Sequence, residues 1–168
     1  MKLMLILLFG LYVPLPDLNA YRKLLDLSLK NQESANHFYD QLKEVKENDA
    51  PLMVGYKAMS EFMLCKHLLN PFSRLSHFNR GKRLLESAIK RDQNSAELLY
   101  LRLSTQTNVP AVLRYHTNIN TDKLHLITYL KKDLDKANTD RDLHKRIKSY
   151  LLINPYCSAV EKEMIKTL

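Results

Sequence analysis

The sequence predicts an all-α protein built from stacked antiparallel helical hairpins. Three observations carry this expectation. Only three glycines, Gly10, Gly55 and Gly81, occur in 168 residues, so tight β-turns are scarce. Leu, Lys, Glu and Met are abundant, and straight-chain residues favour helix. Apolar residues recur three and four apart between short breaks of Asn, Asp, Ser and Pro, and nowhere in a sustained alternation. The length fits one domain, with a continuous core but not two independent ones.

The first twenty residues, "MKLMLILLFGLYVPLPDLNA", place Lys2 ahead of an apolar run from Leu3 to Val13 and a small residue at Ala20. That order predicts a secretory signal over 1–20 with cleavage after Ala20. The run is shorter than the roughly 20 apolar residues that span a bilayer. Cleavage removes one cation, Lys2, and one anion, Asp17, so the net charge stays at +8. The expected domain covers 21–168, in a periplasmic or secreted setting.

Asp17 is a candidate cap for a first helix carrying Leu18, Tyr21, Leu25 and Leu29 on one face. A second helix starts near Glu33, with Ala35, Phe38, Leu42 and Val45 in phase, and "KENDAP" ends it. The third, Pro51 to Leu69, is apolar nearly all round, with Lys57, Ser60, Glu61 and His67 as a polar stripe. Such a helix belongs at the centre of a fold. "NPF" at 70–72 breaks it. Phe78, Gly81, Leu85 and Ala88 then line a helix ending near Arg91, where glycine permits close approach of a neighbour.

"LLYLRL" continues the pattern up to "STQTNVPAVLRYHTNIN", residues 104–120. There "STQTN" reads as a corner, Pro110 opens a short helix that turns Val112 and Leu113 inward, and Asn120 or Thr121 caps the next long helix. Leu124, Ile127, Leu130 and Leu134 mark that helix. "NTD" at 138–140 starts another, with Leu143, Ile147, Tyr150 and Leu151 in phase. Ser158 and Glu161 form a capping-box pattern ahead of Val160, Met164 and Leu168.

"GYKAMSEF" and "GKRLLESAIKRDQNSAELLYL" resemble the tetratricopeptide pattern. Gly55 and Tyr56 stand at the usual small and aromatic positions of a first helix, and Gly81, Leu85 and Ala88 at the small, large and small positions of a second. The resemblance covers Pro51 to Leu103 and implies a right-handed array of helical hairpins with a groove suited to extended segments. Three departures stand out. "LLNPFSRLSH" lengthens the link between the half-motifs, with Gln93 in place of the customary corner Pro, and no period of about 34 residues recurs elsewhere. The layout also resembles a group of small exported bacterial proteins of unestablished function.

Catalytic and cofactor signatures are missing from the sequence. "NRGKRL" offers one glycine where a phosphate cradle needs several, and neither HExxH, GxSxG nor CxxC occurs. The histidines are scattered, and Cys65 and His67 point to different helix faces, so no metal or cofactor is expected. Cys65 and Cys157 are expected to be free thiols. Arg80, Arg83 and Lys90 share one helix face. Without interleaved aromatics this face suits solvent, an acidic partner or anionic lipid headgroups better than nucleic acid.

The expected function is therefore non-catalytic binding of a protein or peptide. The residues singled out are Arg102, Gln106, Asn108, Tyr115 and Asn118, clustered around the 104–120 corner. They form either a polar network locking the middle helices to the C-terminal ones, or a pocket for a small ligand or an enzyme's substrate.

Overall fold

N-caps decide where the helices begin. The computed structural model describes residues 17–133 and 140–168. The Asp17 carboxylate accepts from the Asn19 and Ala20 amides and opens α1 (Leu18–Ser28), and Asn31 does the same for α2 (Gln32–Leu42) through the Ser34 amide. Ala50 and Pro51 open α3 (Pro51–His67) without a side-chain cap. Asn70, followed by Pro71 at the first helical position, opens α4 (Pro71–Arg91), and Ser95 caps α5 (Ala96–Gln106). A single 3-10 turn, Ala111–Leu113, precedes α6 (Ile119–Asp133). Asp140 caps α7 (Arg141–Ile153), and Ser158 and Glu161 close a reciprocal capping box on α8 (Ala159–Thr167). No strand occurs among the described residues.

The other ends of the helices are handled without glycine, since Gly55 and Gly81 lie inside α3 and α4. Carbonyls left open at a helix C-terminus need donors, and long cations from neighbouring helices supply them. Lys66 Nζ donates to the Leu29 carbonyl at 2.8 Å, and His67 Nε2 lies 2.8 Å from the Ser28 carbonyl. Beyond α2, Lys57 donates to Lys43 and Val45. Arg91 donates to the carbonyls of Glu47, Asn48 and Asp49. Lys148 reaches Lys166 on α8.

Successive helices pair as α1–α2, α3–α4, α5–α6 and α7–α8, and each odd-numbered helix touches the next, so that α1, α3, α5 and α7 form one continuous row. The apolar α3 is central and meets α1, α2, α4 and α5. Its polar stripe is largely buried too: Ser60 bonds the Lys57 carbonyl, and Glu61 holds His77. Ala35, Phe38 and Leu42 join Phe78, Leu85 and Ala88 in a core that continues through Leu98, Leu101, Leu126, Leu130, Ile147 and Leu151. A methyl group at Gly81 would lie 2.9 Å from the Phe62 ring and 3.0 Å from the Ala58 carbonyl, so α4 approaches α3 closely there.

Several expected inward residues face solvent instead. Leu29 follows the end of α1 and is exposed, whereas Val45, past the end of α2, still packs half-buried against the core. Leu124 is exposed because the buried stripe of α6 runs through Ile119, Asp122, Lys123, Leu126, Ile127 and Leu130, about one residue out of register with it. Val160 is likewise exposed, and Ile165 takes the core position of α8. Ser104 to Gln106 belong to the last turn of α5, so the corner starts at Thr107. Pro110 precedes the 3-10 turn, leaving Val112 82% exposed while Leu113 packs half-buried against the core as expected. Asn120 and Thr121 lie within α6, where the Asn118 carbonyl accepts from the Asp122 amide at 2.9 Å. Leu134, the "NT" of the expected "NTD" start, and residues 1–16 of the expected signal lie outside the described residues. The expected cleavage point, Ala20, falls inside α1. Cys65 is half-buried and Cys157 buried; both are free, and burial pushes both thiols up from their usual range.

Candidate functional site

The five residues singled out around the corner divide into three clusters. In the first, Arg102 is buried on α5 and forks onto Asp122 of α6: Nε donates to Oδ2 at 2.8 Å and Nη2 to Oδ1 at 2.7 Å. Its Nη1 donates to Glu86 of α4 at 2.8 Å, and Tyr115 Oη donates to the other Glu86 oxygen at 2.6 Å. Burial opposes the Arg102 charge most, but Asp122 and Glu86 together outweigh it and hold the guanidinium above its usual range. Burial, then the Glu86 bond, pushes the Tyr115 phenol well up. Lys82 sits 5.0 Å above the Tyr115 ring.

In the second cluster Gln106, fully buried, receives the Asn118 amide at 3.1 Å and donates to the Asn118 side chain at 3.4 Å. This pair satisfies backbone and side chain across the corner, as buried polar groups require. The third centres on exposed Asn108, which donates to the Ser104 carbonyl at 2.8 Å and to Tyr150 Oη of α7 at 3.2 Å. Thr107 also bonds Tyr150.

Two clefts flank these clusters. One, of about 340 Å³, lies between α4, α5 and α6, with Arg102, Asp122 and Glu86 beside Lys90, Thr121 and His125. Its buried cation is already matched by two carboxylates. The second, of about 430 Å³, lies on the row of odd helices between α5 and α7. Tyr100 and Tyr150 meet edge to face there, centroids 5.6 Å apart. Burial pushes the Tyr100 phenol up to about 12. Along α7 the four-residue repeat lays down two stripes. Asp142, Arg146 and Tyr150 form one, in which Arg146 pairs with Asp142 at 2.7 Å and with Asp26 of α1 at 2.8 Å. Lys145, Ser149 and Ile153 form the other and stand exposed along the cleft.

The three residues of the expected basic face make different contacts. Arg80 lies 3.4 Å from Glu61, Arg83 pairs with Glu47, and Lys90 turns into the first cleft. The acidic partners come from α3 and the α2–α3 connection, too far along the chain for spacing to reveal them.

Sequence reasoning also missed a buried charge cluster. Arg22 of α1 donates to Glu97 of α5 at 2.7 and 2.8 Å and to Asp140 at 2.6 and 3.0 Å, and reaches Asp142 at 3.3 Å. Tyr56 of α3 bonds the same Glu97. Burial opposes the Arg22 charge and the carboxylates prevail, while the Arg22 hydrogen bond holds Asp140 below the usual carboxylate range. One signal in the chain points to it: Arg22 falls in phase with Leu18, Tyr21 and Leu25.

No known protein family, curated protein or solved structure matches this chain. Its clefts and surfaces alone bear on what it does.

Proposed function

We propose that the protein binds another protein or an extended peptide without catalysing a reaction, and that it does so as an exported chain lacking residues 1–20. In this reading the four hairpins are arranged as in tetratricopeptide arrays, and the row of α1, α3, α5 and α7 is the binding face. The observation that carries the reading is the exposed stripe Lys145, Ser149 and Ile153 beside the Tyr100–Tyr150 pair. It offers a cation, a hydroxyl and an apolar contact along about two helical turns, next to rigid aromatic rings that lose little entropy on binding. An acidic group near Lys145 and an apolar side chain near Ile153 would complement it. Nucleic acid has no part in the reading, because the basic face lacks interleaved aromatics and two of its three cations, Arg80 and Arg83, are paired with Glu61 and Glu47.

Affinity purification from the producing cell, after chemical cross-linking, tests this directly. Wild-type protein should recover a discrete partner and begin at Tyr21, whereas Lys145→Glu with Ile153→Ser should keep its helicity and lose that partner. A partner retained by the double variant sinks the assignment of the face, and an intact Met1 in the cytoplasmic fraction sinks export. The α4–α6 cleft supports a second reading, a small-ligand receptor or enzyme, because Arg102 stands beside His125 and Thr121 there. Native mass spectrometry of the purified protein would favour it if a small molecule accompanies the chain and is lost from Thr121→Val.

A further inference from the structure

Four large apolar side chains stand exposed at one end of the molecule, where α1 turns into α2 and α3 into α4. Leu69 is 96% exposed, Phe72 81%, Leu75 48% and Leu29 46%. The two turns are held together: Lys66 donates to the Leu29 carbonyl, and His67 Nε2 lies against that of Ser28. Phe72 and Leu75 are three apart on the first turns of α4 and share a face. Leu69 stands in the connection just before them. Side chains this exposed project from the surface and do not line a cavity, and neither cleft described above includes any of them.

The charge around this end has one sign in excess. Over residues 29–33 and 66–75 the charged side chains are Lys30, Lys66 and Arg74, against Glu33 alone. All four are exposed. The Lys66 ammonium has N–H groups left after its bond to Leu29. Projecting Leu and Phe residues ringed by cations suit the boundary between headgroups and acyl chains, where apolar contact and attraction to anionic lipid act together. No helix among the described residues is long and apolar enough to cross a membrane.

We infer that this end docks on the surface of an anionic lipid bilayer, inserting Leu69, Phe72 and Leu75 while Lys30, Lys66 and Arg74 meet lipid phosphates. The site is separate from the α5–α7 cleft, so the array's binding face stays open to a second partner.

The chain contains no tryptophan, so Phe72→Trp supplies a single local reporter, and Val112→Trp, also exposed but on the 3-10 turn, supplies its control. Both full-length variants are titrated with phosphatidylcholine vesicles with and without phosphatidylglycerol. The Phe72→Trp emission should shift to the blue only with anionic vesicles and be quenched by bromine-labelled acyl chains, while Val112→Trp stays unchanged. Adding Leu69→Ser and Leu75→Ser, or Lys30→Gln and Arg74→Gln, to Phe72→Trp should weaken the vesicle response about tenfold or more. An equal response from both reporters would mean adsorption through another segment and would overturn the inference. So would an unmoved Phe72→Trp, or a blue shift that appears without vesicles and grows with protein concentration, which would assign the patch to a second copy of the chain.

Discussion

Arg102 and Gln106 separate a structural role from a binding one at the scale of single residues. Removing Arg102 leaves Asp122, itself buried, without its main counter-charge. Breaking a buried pair from one side costs about 3–5 kcal/mol. Removing Gln106 strands the Asn118 amide at the corner and costs about 1–3 kcal/mol. Arg102→Ala should therefore melt well below wild type and Gln106→Ala moderately below it, as followed by circular dichroism. Wild-type melting of both, with loss of a bound partner or small molecule, would turn the network into a site. Asn108→Ala, on an exposed side chain, should change stability by less than either.

At the scale of the helix, propensity and packing oppose one another at Gly81. Alanine in place of glycine inside an exposed helix gains about 1 kcal/mol. Here the added methyl meets the Ala58 carbonyl, which belongs to rigid helical backbone. Overpacking of that kind costs about 1–3 kcal/mol. The net expectation for Gly81→Ala is a lower denaturation midpoint in urea, and a rise would mean that α3 and α4 separate readily. Some helix starts are legible in the chain because their caps are. Asp17 and the Ser158–Glu161 box stand at helix starts as expected, where local hydrogen bonding favours those side chains, whereas Asn70, read only as part of a break, and Ser95 also prove to be caps. Hydrophobic spacing misses the phase. Arg22, Asp122 and Lys123 are buried, Arg22 paired with Glu97, Asp122 with Arg102, and Lys123 with Glu161 and the Tyr156 carbonyl, all remote in sequence, and a polarity scale places all three outside. The same scale puts Leu124 and Val160 in the core. The candidate site is less legible still, since Lys145, Ser149 and Ile153 form a cleft edge only once α5 packs beside α7.

For the molecule as a whole, phenols set the alkaline limit. Burial first, and then the neighbouring Glu97 and Glu86 carboxylates, raise Tyr56 and Tyr115, and burial raises Tyr100 to about 12. An unfolded tyrosine ionises near pH 10. Above that value the folded chain retains protons that the unfolded chain releases, so stability is complete below about pH 10 and falls as pH rises. Thermal melts between roughly pH 8 and pH 12 should show this decline, with part of the tyrosinate absorbance appearing only as the helices melt. Flat stability across that range would contradict the burial of these rings. The capping lysines and Arg22 carry one more consequence. In an ideal solenoid each repeat senses only its neighbours and the ends fray independently. Here α1 and the segment after α2 borrow their terminal donors from α3 and α4, and Arg22 is tied to partners 75 and 118 residues further along the chain. Excising or melting the first hairpin thus strips counter-charges from the third and fourth. Such a chain is expected to unfold as one cooperative unit, with a single transition in urea, and its hairpins should not be removable one at a time.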